Sequence, residues 1–289
     1  MKRLLLLSAT TFITVLLLGY TFNKHEVKPL YYISCINTDT KIMIQEDAAN
    51  PEFAMLHAIP KPFVLQNPIG KTIFFPAKDG INAQGYFIKA NNKSNKWLLV
   101  IQEWWGLNDY IKKEAETFYN DLDNVNVLAL DMYDGKVATT RDSASAYMRN
   151  TTTERFENIV KAAITYAGSN AKIYTVGWCF GGGWSLQSTM LAGKQAAGCV
   201  MYYGRPETNI ERLKTIQCDV IGFFGNLDKG IPSETVDTFE KNMKDAGKTL
   251  YLYRYEAGHG FANPSNPVFN KEATEDAYAK AIDFLKKRM

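Results

Sequence analysis

The stretch Ile173 to Gly183, IYTVGWCFGGG, constrains this chain most, because it reads as a buried strand running into a sharp turn with a cysteine at its apex. Ile173, Tyr174, Thr175 and Val176 form a β-branched and aromatic run, and Gly177 and Gly181 flank Cys179 in a G-x-C-x-G frame. That frame is the nucleophile elbow with sulfur in place of the usual hydroxyl. Its requirement is steric. The apex residue takes a strained backbone conformation, and the neighbours two positions away must be small where strand and helix nearly touch. A helix opening at Phe180 points its free N–H groups and positive dipole end at the sulfur, which favours thiolate over thiol. A glycine-rich turn around an inert buried cysteine fits the same pattern, so the remaining residues must decide.

With 289 residues, 46% of them hydrophobic, the chain can bury one large core, and one domain with an N-terminal extension is expected. Met1 to Phe22 places Lys2 and Arg3 before an uncharged apolar segment over residues 4–22, the pattern of an export signal. The segment is also close to the length of a membrane span, so a cleaved signal and an uncleaved anchor are both open, and either puts the domain outside the cytoplasm. Residues 23–70 carry prolines at 29, 51, 60, 62 and 68 with no sustained period and read as an extension or linker. The domain proper is expected over residues 71–289. The 33 basic and 30 acidic residues are spread without long single-sign runs, so no field favours nucleic acid as a partner.

From Lys71 onward strand and helix patterns alternate. Strands are expected over 72–75, 85–88, 97–101, 125–130, 173–176, 198–203, 220–224 and 250–255. Helices are expected over 110–122, 143–149, 154–166, 180–191, 235–246 and 274–287. Two early strands followed by repeated βα units specify an α/β fold: a mostly parallel central sheet, helices on both faces, and an antiparallel start. The four cysteines show no C-x-x-C or other metal-ligand spacing. Cys199 and Cys218 read as small core residues, with a bridge between them as the alternative, and Cys35 lies in the extension.

In such a sheet reactive groups gather beyond the carboxyl ends of the strands. Cys179 is at one exit, Asp228 follows another in GNLDKGIP, and His259 follows a third in EAGHGFANP. Nucleophile, acid, histidine is the chain order of the α/β-hydrolase triad. His259 is the only histidine after residue 57, so a histidine-dependent step within 71–289 falls to it. Asp219 precedes its strand and Asp237 belongs to the next helix, which leaves Asp228 as the acid. Glu103 emerges in IQEWWGLND at the same edge, where neighbouring tryptophans can desolvate it and raise its basicity. The backbone N–H groups of Trp104 and Phe180 are the oxyanion donors such a site needs. Trp104, Trp105, Trp178 and Tyr133 fit either an aromatic-walled pocket or the core.

Together, QEWWGLN, GWCFGGG, GNLDKGIP and AGHGFANP resemble the dienelactone hydrolase family, an α/β-hydrolase branch, over about Lys71 to Met289. The resemblance implies Cys179 as nucleophile, Asp228 and His259 as its partners, and Glu103 as the carboxylate that helps generate the thiolate. It also implies small lactones or esters as substrates and no metal or organic cofactor. The chain departs from the family where arginines hold a substrate carboxylate: GFANPSNP lacks one, and after the fourth strand Arg141 is the candidate. The leading reading is a cysteine-dependent ester or lactone hydrolase with a thioester intermediate. A non-catalytic binding module and a thiol redox protein on the same fold are the competing readings, the latter lacking an adjacent resolving cysteine.

Overall fold

A computed structural model describes Thr40, Ile44 and residues 46–289, so the signal or anchor expected over 1–22, and Cys35, lie outside the described residues. The sheet has eight strands in the order β1-β2-β4-β3-β5-β6-β7-β8. They are β1 (Lys71–Phe75), β2 (Ala83–Ile88), β3 (Lys96–Ile101), β4 (Asn126–Leu130), β5 (Lys172–Trp178), β6 (Ala196–Tyr202), β7 (Val220–Gly225) and β8 (Leu250–Tyr255). The β1–β2 and β2–β4 pairs are antiparallel and the rest are parallel, as the two early strands and later βα units require. The helices are α1 (Pro51–Met55), α2 (Asp109–Asp121), α3 (Arg141–Asn150), α4 (Thr153–Ala167), α5 (Phe180–Ala192), α6 (Ile210–Leu213), α7 (Ser233–Asp245) and α8 (Lys271–Lys286). Among the described residues, no helix is long and apolar enough to cross a membrane.

The central strands are covered on both faces, which is why β3 reads KWLLVI without alternation and why Leu98, Leu99, Val100 and Ile101 are completely buried. Burying each such side chain stabilises the fold by about 1.5–3 kcal/mol. Cys199 and Cys218 are both free thiols, Cys199 in the core and Cys218 partly exposed. Polar residues of α5 are buried too, and Ser185 is bonded to both neighbouring strands: its Oγ donates to Val200 O at 2.8 Å, and its backbone O accepts from Thr175 Oγ1 of β5 at 3.1 Å. These bonds pin α5 to β5 and β6 beneath the turn that carries Cys179.

At that turn Cys179 sits at φ 55, ψ −119, a backbone conformation that residues with a Cβ rarely adopt. The flanking glycines have no space for a side chain. A Cβ on Gly177 would lie 2.1 Å from Gly181 O, and one on Gly181 would lie 2.3 Å from Ile101 O and 2.4 Å from Gln102 O. All three obstacles are backbone, so no rotamer change relieves the clash. Gly181→Ala should therefore cost about 3 kcal/mol of stability in a denaturant titration, at the upper end of overpacking effects. A loss below about 0.5 kcal/mol would mean that the helix and β3 are not held this closely.

Candidate active site

Five strand exits meet at one rim. Glu103 follows β3, Cys179 follows β5, Tyr203 and Arg205 follow β6, Asp228 follows β7 and His259 follows β8. His259 Nδ1 lies 2.7 Å from Asp228 Oδ2. A carboxylate oxygen accepts, so Nδ1 carries the hydrogen and Nε2 presents its lone pair toward Cys179. Asp228 is fixed by the turn it ends: its Oδ1 accepts from the backbone N–H of Gly230 at 2.8 Å and of Ile231 at 2.9 Å. The two rivals are engaged elsewhere, Asp219 with Arg288 and Asp237 with Arg254, each at 2.5 Å.

The sequence reading missed a second imidazole at the sulfur. His57 Nε2 is 3.0 Å from Cys179 Sγ, and the ligating atoms of His57, Cys179 and His259 all lie within 4.8 Å of one another. His57 follows α1 in the stretch read as a linker. Asn50 caps α1 by accepting from the Glu52 N–H, Pro51 opens it, and Phe53 and His57 stand one turn apart. His57 Nδ1 donates to Phe53 O at 2.6 Å, a second hydrogen bond to a carbonyl that also accepts from the Leu56 N–H at 3.2 Å. The ring packs 4.4 Å from Phe53 and 4.8 Å from Trp104, centroid to centroid. Arg141 Nε donates to His57 O at 2.9 Å, and Arg205 grips Asp47 through both carboxylate oxygens at 2.7 and 2.5 Å. Asn50-Pro51 as a helix start, with Phe53 and His57 at i,i+4, was the signal available in the sequence.

Burial governs the charges here. It raises the Cys179 thiol above its ordinary pKa; His259 and the Phe180 N–H pull it down, and Glu103 pushes it further up. The helix N terminus thus acts in the expected direction, but desolvation outweighs it. Burial also opposes charging His259, yet the sulfur once ionised, together with Asp228, reverses the balance and raises it well above the usual histidine range, so a proton that leaves the thiol is held on this ring. His57 has no such carboxylate, and burial followed by repulsion from His259 lowers it to about 3.

Glu103 is raised to about 7, chiefly by burial, although part of its side chain still meets solvent. It accepts from Asn263 Nδ2 at 2.5 Å and Tyr203 OH at 3.3 Å, and the thiol's hydrogen-bonding partner is His57 instead. The cavity at Cys179 is narrow, about 20 Å3, and is walled by residues including Phe53, Met148, Phe180, Tyr203, Ile231 and His259. Trp105, Trp178, Tyr133 and Arg141 are not among its lining residues. Trp105 and Tyr133 are core, Tyr133 packing 5.6 Å from Phe180, and Trp178 stacks on Tyr202 and faces a separate groove with Glu103 and Glu114. Trp104 is wholly buried against Phe53 and His57 and does not line the cavity either.

Burial, and then repulsion from Glu103, raise Glu114 from 4.5 to about 7. The fold therefore favours its protonated form, a contribution intact below about pH 4.5 and lost as pH rises through about 7. Glu114→Gln should accordingly be more stable than the parent near pH 8 and equal to it near pH 4 in denaturant midpoints. Parallel stability profiles for the two proteins would show that Glu114 is solvated like a surface carboxylate.

The model of the dienelactone hydrolase family matches residues 83–289. Carboxymethylenebutenolidase 1 of Cupriavidus pinatubonensis is 26% identical over 224 residues, spanning 72% of this chain and 93% of the relative. Among solved structures, a dienelactone hydrolase-like promiscuous phosphotriesterase from metagenomic libraries superposes with a TM-score of 0.64 at 21% identity, covering 76% of this chain and 99% of that one. Esterase 2 of Thermogutta terrifontis, solved phosphorylated by paraoxon, shares the fold at a TM-score of 0.55 and 18% identity, covering 78% and 97%. The family model spans residues 83–289, most of the chain, which therefore belongs to the dienelactone hydrolase family and is a hydrolase of carboxylic esters or lactones.

Proposed function

We propose that this hydrolase works through Cys179, His259 and Asp228 and a thioester acyl-enzyme. The observation that carries the reading is the 2.7 Å contact between His259 Nδ1 and Asp228 Oδ2, which leaves Nε2 of the same ring facing the sulfur at the nucleophile elbow. His259 Nε2 takes the thiol proton, and the thiolate sulfur bonds to the substrate carbonyl carbon. The negative charge moves to the carbonyl oxygen, where the Phe180 and Trp104 N–H groups are the donors. On collapse the C–O bond breaks and the leaving oxygen takes the proton from His259. Water then attacks the thioester with His259 as base, releasing the acid and restoring the thiol.

The mainly apolar lining of the narrow cavity at Cys179 favours a small, uncharged acyl group. Arg205 lines it but is already paired with Asp47, which favours a neutral ester or lactone over an anionic one as the first class to try. The name carboxymethylenebutenolidase, carried by relatives, adds carboxylate-bearing unsaturated lactones as the second class. The apolar segment 4–22 supports export as the protein's placement.

With an activated aryl ester, Cys179→Ala and His259→Ala should each lower kcat/KM by about a thousandfold or more, and Asp228→Asn by about a hundredfold or more. Retention of parental activity in Cys179→Ala would reject the reading.

A further inference from the structure

We propose that His57 is a restraining residue of this site: its neutral imidazole accepts the Cys179 S–H hydrogen bond, making the resting nucleophile a thiol and not a thiolate. The inference rests on the reading of Cys179 as nucleophile and adds to it a residue from outside the matched domain, which begins at residue 83.

The geometry fixes the direction of the bond. Phe53 O can only accept, so at 2.6 Å the hydrogen is on His57 Nδ1 and the lone pair is on Nε2. That lone pair faces Sγ at 3.0 Å. Turning the tautomer round to donate toward sulfur would set the Nδ1 lone pair against the Phe53 carbonyl, acceptor against acceptor. Protonating both nitrogens is opposed by burial and by His259, which hold His57 at about 3. The ring therefore has one state, and in that state it bonds a thiol but repels a thiolate.

Position is as constrained as tautomer. Phe53 and Trp104 wedge the ring, Arg141 holds its carbonyl, and the Asp47–Arg205 pair ties down the same segment. His57 itself is buried, so water does not compete for the contact. His259 Nε2, by contrast, has no hydrogen-bond partner among the described residues. The sulfur has one proton and two imidazole lone pairs near it, and the resting contact goes to the ring that cannot carry charge. Catalysis then begins with a transfer between partners: the S–H···His57 bond breaks, the proton moves to His259 Nε2, and a thiolate–imidazolium pair forms while His57 stays neutral. The other groups facing the sulfur are Glu103 from the loop after β3, the Tyr133 and Tyr203 hydroxyls and the Phe180 N–H, with Asp228 behind His259, while Arg141 at the start of α3 acts on His57 and, like His259, opposes its charging.

The test is the pH dependence of iodoacetamide alkylation at Cys179, read by peptide mass spectrometry so that the other cysteines are counted separately. His57→Phe removes the lone pair and keeps a ring; His57→Gln keeps polarity, and its amide N–H can donate to a thiolate. The apparent thiol pKa should fall by about one unit in His57→Phe, tenfold in thiolate fraction and the scale of one net hydrogen bond. It should fall at least as far in His57→Gln. An unchanged or higher value in the variants that fold would overturn the proposal. Alkylation reads the sulfur whether or not an ester is cleaved, so this inference and the hydrolytic reading can fail separately.

Discussion

The backbone of Cys179 is held in a conformation that side-chain-bearing residues avoid, and the rim of the molecule is arranged around what keeps it there. Gly177 and Gly181 let β5 and α5 approach until backbone touches backbone, and the carbonyls of Ile101 and Gln102 close the other side. The strain is offset by the burial of β3, β5 and β6 and by the Ser185 and Thr175 hydrogen bonds under the turn. A relaxed turn would drop the sulfur toward the sheet and away from the loops carrying Asp228 and His259.

Burial sets the electrostatics once the sulfur is in place. In water a thiol and an imidazole titrate near neutrality, but here desolvation disfavours every isolated charge, so an ionised group needs a partner. His259 has Asp228 behind it and the sulfur before it; His57 has a peptide carbonyl and an aromatic wall. Two chemically identical side chains, 5.1 Å apart between ring centres, are thereby driven in opposite directions, one able to hold a proton and one unable. Opposed environments on like groups are a common way of dividing acid–base roles.

Much of this was legible in the sequence. Strand exits could be read because β3, β5 and β7 are apolar runs buried on both faces and β8 is a short aromatic-rich run, and so Cys179, Asp228, His259 and Glu103 could be placed on one edge before any fold was known. The aromatic residues were harder, since Trp105, Tyr133 and Trp178 look alike in a sequence whether they wall a cavity or fill a core. His57 was missed for a different reason. Its segment has prolines and no long period, and its place is fixed by long-range contacts, Asp47 with Arg205 and Arg141 with the His57 carbonyl, that no local pattern encodes. Arg205 was missed alongside it, because its role depends on a partner 158 positions away in the chain.

The central claim is that the acyl group passes through sulfur. Rapid mixing with a conjugated, chromophoric acyl ester tests it directly, because a thioester of such an acid absorbs at longer wavelength than its oxygen ester. The account predicts a transient long-wavelength band that forms with the first release of alcohol and decays at the turnover rate. Steady turnover of that ester with no such band, at enzyme concentrations where the intermediate would be visible, would contradict it.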